Sequence, residues 1–159
     1  MVPEYFVGIG EGKVLKGEGI LKAIGVGSCI VIILFDRKNK IGGFVHPMLP
    51  APKRIDENAP ASKYVNKAIP WLLKEMEALG AEISNAEAYI VGGATIFESP
   101  LSPWSIGLRN ILEARNTLER FAIRIVKEEV GGGEGRSVIF DVGKGEIKVK
   151  KRDKEIVLS

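Results

Sequence analysis

The chain has 159 residues, is 45% hydrophobic and 27% charged, and carries a formal net charge of +3. That length supports a single domain over residues 1–159 with its own core, and no apolar run approaches the ~20 residues that cross a bilayer. The small excess of Lys and Arg is scattered among acidic residues, which argues against a nucleic-acid footprint and leaves room for an acidic protein surface. A single cysteine excludes an internal disulfide and fits a reducing, cytoplasmic compartment. Met1-Val2-Pro3-Glu4-Tyr5 has neither the basic flank nor the apolar stretch of a signal peptide.

Tyr5 to Ile9 predicts a first strand. Gly8-Ile9-Gly10-Glu11-Gly12-Lys13 has a superficial likeness to a phosphate-cradling loop. Its spacing fits neither the dinucleotide fingerprint nor the P-loop, and the residues after it look like strand rather than helix, so it reads as a turn. Residues 19–24 predict a short strand running into Gly25-Val26-Gly27-Ser28-Cys29. Ile30-Val31-Ile32-Ile33-Leu34-Phe35 is apolar at both parities, which predicts a central strand covered on both faces. A polar turn at 36–40 reverses the chain, and Ile41-Gly42-Gly43-Phe44-Val45 returns to His46. Met48 through Pro60 predicts a long loop, of the kind often used as a lid.

Ser62 to Leu79 predicts a helix, with Val65, Ala68, Ile69, Leu72, Met76 and Leu79 on one face and Gly80 at its end. Pro70 inside it is expected to kink or split it. Ala86 to Val91 predicts a strand ending in Gly92-Gly93-Ala94, and a second helix is predicted near 105–119. A strand over 122–130, a glycine loop at 131–135 and a hairpin around Gly143-Lys144-Gly145 come next. The tail alternates charge up to Ile156-Val157-Leu158. The sum is a strand-rich α+β domain with two main helices.

Cys29 and His46 lie at the outer ends of the first hairpin. If Arg37 and Lys38 are its two tip residues, 36 faces 39 and 29 faces 46. That would bring a thiol and an imidazole within reach of each other, the arrangement of a Cys–His nucleophile. Three tip residues would turn the two side chains to opposite faces, unless a bulge at Gly42-Gly43 restored the alignment. Plainer readings stay open: a free cysteine commonly packs as a small hydrophobe, and a lone histidine commonly sits at the surface or hydrogen-bonded in a core. Glycines 25 and 27 permit unusual backbone angles beside Cys29. The amides of Gly27, Ser28 and Cys29 are candidate oxyanion donors. Gly92 and Gly93, with the 131–135 loop, are candidates for clearance around a substrate, or are plain turn glycines. With one Cys, one His and no ligand-type spacing, neither a metal nor another cofactor is expected.

Five segments in order resemble the CheD family of chemoreceptor glutamine deamidases: Gly27-Ser28-Cys29, His46 with Met48-Leu49-Pro50, Gly92-Gly93-Ala94 with Phe97, Gly107-x-Arg109-Asn110, and Arg136-Ser137-Val138. Each is weak alone; together, over nearly the whole chain, they are specific. The resemblance implies a three-layer α/β sandwich related to glutamine-deamidating toxin domains. It implies conversion of selected glutamines on the cytoplasmic helices of chemotaxis receptors to glutamate, through a Cys–His thioester mechanism. In some members glutamate methyl esters are hydrolysed as well. It also implies a CheC-type phosphatase as a partner that occupies the receptor-binding face and blocks the deamidase. The catalytic pair maps onto Cys29 and His46, in a protein that is monomeric when alone and does not insert into a membrane.

The chain departs from the family where a threonine commonly stands six residues before the cysteine and orients the histidine. Here that residue is Ala23, and Pro47 follows His46. A backbone carbonyl, Ser28 or Thr95 are the candidates to replace the hydroxyl, a main-chain acceptor being the commoner device. Three functions remain in view. The first is a receptor-glutamine amidohydrolase. The second is a regulatory partner of the CheC phosphatase with little catalysis, to which Ala23 lends weight. The third is a cysteine hydrolase or acyltransferase with a small substrate.

Overall fold

The computed structural model describes residues 2–53, 58–95 and 105–159; Phe97, one of the residues behind the family resemblance, lies outside them. Two five-stranded sheets and two helices make up the described fold. The first sheet contains β1 (Glu4–Phe6), β3 (Ile20–Val26), β8 (Arg136–Asp141), β9 (Glu146–Lys151) and β10 (Lys154–Val157), in that spatial order. The second runs β2 (Gly12–Lys16), β5 (Ile41–Val45), β4 (Ile30–Asp36), β6 (Ala86–Gly92), β7 (Arg124–Val130). Helix α1 (Val65–Ala78) and helix α2 (Ile106–Arg120) cover the outer face of the second sheet.

The layering follows from β4, every residue of which is buried. Ile30, Ile32 and Leu34 pack among Val65, Ile69, Leu72, Ile111 and Leu118 of the helices. Val31, Ile33 and Phe35 pack among Leu21, Val138, Phe140 and Val149 of the first sheet. A period of two along one strand thus feeds two separate cores, giving helices, sheet and sheet in three layers. The apolar run at both parities required this.

The charged tail is a strand: Ile156 pairs with Val149 and extends the first sheet. Several local expectations are corrected. Helix α1 begins at Val65 rather than Ser62, since Ala61–Lys63 forms a single tighter turn. Its first N–H groups have no intrahelical partner. The Leu49 carbonyl accepts from Val65 N–H at 2.9 Å, and that of Pro50 from Asn66 N–H at 3.1 Å. Leu49 and Pro50, early in the segment after His46, are therefore tied to the helix. Pro70 neither splits nor ends α1, which continues to Ala78. The missing N–H of Pro70 leaves the Asn66 carbonyl, four residues before it, without the usual helical donor.

The hairpin register also differs. Asp36 pairs with Ile41 and Ile32 with Val45, so four residues, 37–40, make the turn instead of two. Asp36 is fully buried and accepts from Asn39 N–H at 3.1 Å, from Asn39 Nδ2 at 2.7 Å and from Glu82 N–H at 2.9 Å. Burial pushes its carboxyl up, but these donors together with the Lys38 amide outweigh it and hold the group below its ordinary value. Continuing the ladder outward sets His46 opposite Val31, not opposite Cys29. Cys29 precedes β4 and His46 follows β5, so neither is itself part of the paired register. No bulge occurs at Gly42-Gly43, where pairing is continuous. A Cβ at Gly42 would strike Phe140, and one at Gly43 would strike Leu72.

Asp36→Ala is expected to destabilise the fold by about 2 kcal/mol, since three part-buried donors lose their buried acceptor. Urea denaturation of both proteins measures it, and an unchanged midpoint would remove Asp36 as the device that sets the turn.

Candidate active site

Cys29 is placed by a bulge. Along β3, Ala23 pairs with Val138 and Val26 with Arg136, so one extra residue enters between them. Gly25 takes φ +68 there, Ile24 and Gly25 both turn outward, and Val26 returns to the core. The chain then passes through Gly27 and exposed Ser28 to Cys29, which is 9% exposed. The Gly27 carbonyl accepts from Ala94 N–H at 2.9 Å, and that of Cys29 from Gly93 N–H at 2.8 Å. Gly92, at φ +108, lies so close behind that a Cβ would come within 2.6 Å of the Cys29 carbonyl. The 131–135 loop adjoins this backing, with Gly131 N–H donating to Gly92 at 3.0 Å. Gly27, Ser28, Gly92 and Gly93 are thus gathered around one loop, and the Gly93 amide is already engaged in holding it.

His46 is 3% exposed and continues the row of β5 that faces the first sheet. Its Nδ1 lies 3.2 Å from the Val7 carbonyl. A carbonyl only accepts, so Nδ1 carries the proton and Nε2 keeps a lone pair. Nε2 is buried and has no hydrogen-bond partner, so the thiol is not bonded to it at rest. The His46 main chain is gripped by the turn that the sequence marked only as a turn. Gly10 N–H donates to the His46 carbonyl at 2.7 Å, and His46 N–H donates to that of Glu11 at 3.0 Å. Ser62 Oγ donates to the Gly10 carbonyl at 2.6 Å.

Of the three candidates to orient the ring, the main-chain carbonyl is the one found. Thr95 Oγ1 instead shares a 2.7 Å hydrogen bond with Ser105 Oγ. Ala23 is buried in the core between the sheets, in the strand that receives Val7 N–H through the Lys22 carbonyl at 2.8 Å.

Burial pushes the Cys29 thiol up from its ordinary 9.0, and its own backbone N–H offsets only part of this. Burial pushes the His46 imidazole down from 6.5, against the Val7 carbonyl and the Glu11 carboxylate, which pull it up. Both shifts favour neutral forms. The two groups therefore do not rest as thiolate and imidazolium.

One site residue had no role assigned from sequence. Asn110 of α2 is fully buried. Its Nδ2 donates to the Ser28 carbonyl at 2.9 Å and to the Met48 carbonyl at 3.1 Å. The available signal was a polar residue on the buried stripe Gly107, Asn110, Ile111, Ala114, Leu118.

The family model for CheD chemotactic sensory transduction matches residues 48–151. The chain belongs to the CheD family. It is 40% identical over 152 residues to the probable chemoreceptor glutamine deamidase CheD of Pyrococcus abyssi, covering 95% of this chain and 93% of that protein. It is 35% identical over 146 residues to the chemoreceptor glutamine deamidase CheD of Thermotoga maritima, covering 91% and 90%. A crystal structure of a Neisseria meningitidis DUF152 protein aligns with TM-score 0.48 and 13% identity, covering 83% of this chain and 63% of that one. No described helix is long and apolar enough to cross a membrane.

The lone histidine makes titration unambiguous. By NMR it is expected to titrate below 6.5, and lower still in Glu11→Gln, which removes the carboxylate that raises it. The unfolded chain takes up this proton at the ordinary value. The site's contribution to stability is therefore complete above 6.5 and is lost as pH falls through the folded value. An imidazole titrating at or above 6.5 would contradict its burial as a neutral ring.

Proposed function

We propose that this CheD-family chain hydrolyses the side-chain amide of glutamines on chemoreceptor cytoplasmic helices, with Cys29 as nucleophile and His46 as general base and then acid. The observation that carries the reading is the state of His46. It is a buried imidazole with Nδ1 tied to Val7 and Nε2 without a hydrogen-bond partner among the described residues, just past β5 at the end of the hairpin where Cys29, the only thiol, leads into β4. The name its relatives carry, chemoreceptor glutamine deamidase, supplies the substrate.

A primary amide is a poor electrophile with a poor leaving group, and covalent catalysis divides the difficulty. Nε2 takes the Cys29 proton as sulfur adds to the glutamine carbonyl carbon. The oxyanion that forms is met by the Cys29 N–H, with the Gly27 and Ser28 amides as further candidate donors. Removing one such donor costs ~10²–10³ in rate in a protease. Gly92 and Gly93 serve by letting the backbone behind this loop come close. The imidazolium then protonates departing nitrogen, ammonia leaves and a thioester remains. Water, giving its proton to Nε2, attacks the thioester and releases glutamate. A glutamate methyl ester would take the same steps with methanol leaving.

Exposed apolar side chains flank the site and suit a protein substrate: Ile24 on the bulge, Ile9 beside Gly10, and Met48 just past His46 are 68%, 60% and 41% exposed. A second reading, regulatory binding to a CheC-type phosphatase over the same face, draws on Ala23 and on a thiol held neutral at rest.

Cys29→Ser is expected to abolish deamidation of a receptor cytoplasmic fragment, followed by mass spectrometry as the change from amide to acid, with thermal unfolding unchanged. Residual activity near wild type would remove Cys29 from the mechanism. An inactive wild type that still binds the phosphatase would favour the regulatory reading. Ala23→Thr is expected to leave the rate within roughly threefold, because Val7 already fixes the ring. A larger gain would show that the carbonyl does not suffice.

A further inference from the structure

We propose that Asn110 is a positioning residue: its side-chain amide ties the Cys29 loop to the His46 loop and aims the Cys29 N–H at the developing oxyanion. This rests on the roles given above to Cys29 and His46.

The two hydrogens of Nδ2 go to two carbonyls far apart in sequence, that of Ser28 at 2.9 Å and that of Met48 at 3.1 Å. Ser28 immediately precedes the nucleophile, and Met48 follows the histidine by two residues. The β4–β5 ladder ends near this point, its outermost bond running from Ile30 N–H to the Pro47 carbonyl at 3.2 Å. Neither the Ser28 nor the Met48 carbonyl accepts from a backbone N–H among the described residues. Asn110 therefore supplies, from α2, the cross-link that the ladder no longer provides.

The peptide joining Ser28 to Cys29 is trans, so its C=O and N–H point in opposite directions. Drawing the Ser28 carbonyl toward α2 turns the Cys29 N–H away from α2. That N–H has no backbone acceptor among the described residues and leans only on its own sulfur. A free amide on the nucleophile's own residue is where an acyl-transfer site needs its donor.

The rest of Asn110 argues against a plain packing role. It sits on the apolar stripe of α2 with Ile111, Ala114 and Leu118, and its Oδ1 is buried with no partner. A leucine of similar size would avoid that unmet acceptor. The amide is kept for what its two donations hold.

The test uses the full chain with Asn110→Leu, which keeps the volume and removes both donors, and Asn110→Ala as a second variant. Deamidation of a receptor cytoplasmic fragment is expected to fall by on the order of 10–100-fold in kcat, with KM within about twofold. Iodoacetamide labelling of Cys29 in the folded variants is expected to move the other way. It becomes faster at pH 7 with a lower midpoint, as the loosened loop admits water, and the His46 titration rises toward its ordinary value. A merely structural amide would lower the melting temperature and leave the kcat–KM split and both titrations at wild type. That result overturns the proposal, as does deamidation within threefold of wild type in a folded variant, or failure of both variants to fold. A wild type with no deamidase activity, whose variants still shift both titrations, would overturn the substrate reading and uphold the positioning role.

Discussion

Strand β4 buries both of its faces, and the rest of the architecture answers to that constraint. Its apolar side chains, six in succession from Ile30 to Phe35, leave water on folding. Their transfer is worth on the order of 10 kcal/mol, an upper estimate because denatured chains already bury some surface. One cover comes from α1 and α2, the other from the first sheet. Both helices must then lie in connections that leave and rejoin the second sheet. α1 falls between β5 and β6, and α2 between β6 and its parallel neighbour β7. The ends of β4 and β5 are where main chain emerges at the seam between layers. Cys29 and His46 stand at that seam because they are the first residues beyond the paired strands.

The seam sets the chemistry. Both side chains are dry enough that burial outweighs everything else acting on their protons, raising the thiol and lowering the imidazole. The device that keeps the ring in place is the Val7 carbonyl, reached from the first sheet through the turn that also grips the His46 main chain. This gives a physical account of Ala23. A hydroxyl at that buried position would itself need a partner in an apolar core, whereas a main-chain carbonyl is present whatever side chain position 7 carries. The close fit behind the Cys29 loop has the same origin. Gly92 is required because the Cys29 carbonyl occupies the space of a Cβ, and the bond from Gly93 depends on that approach.

The hairpin shows where counting along a sequence stops being informative. The residues of the turn were identifiable, but its length depended on Asp36, whose carboxylate collects donors from Asn39 and from Glu82, far along the chain. That distant amide is invisible in the local pattern. Gly42 and Gly43 looked like sites for a bulge, yet their cause is lateral: Phe140 presses from one layer and Leu72 from the other. Pro70 was expected to kink or split the helix, and α1 is not split: it runs through to Ala78. The tail, which read along the chain only as alternating charge, completes the first sheet because β9 offers an open edge.

Period within the sequence determined the strand-rich α+β class, the doubly covered central strand and the two helices, and the ordered motifs carried the resemblance to the CheD family. Those properties are written in residues near one another or in motifs whose order alone is diagnostic. Only tertiary structure decided the hairpin register, the acceptor for the His46 ring, the burial that favours neutral forms of Cys29 and His46, and the two carbonyls that Asn110 joins. Each of these depends on groups tens of residues apart: Val7 lies 39 residues from His46, and Asn110 lies 82 from Ser28 and 62 from Met48. Hydrogen bonds and burial at such separations exist only once the layers have closed, so no local pattern in the chain could have carried them.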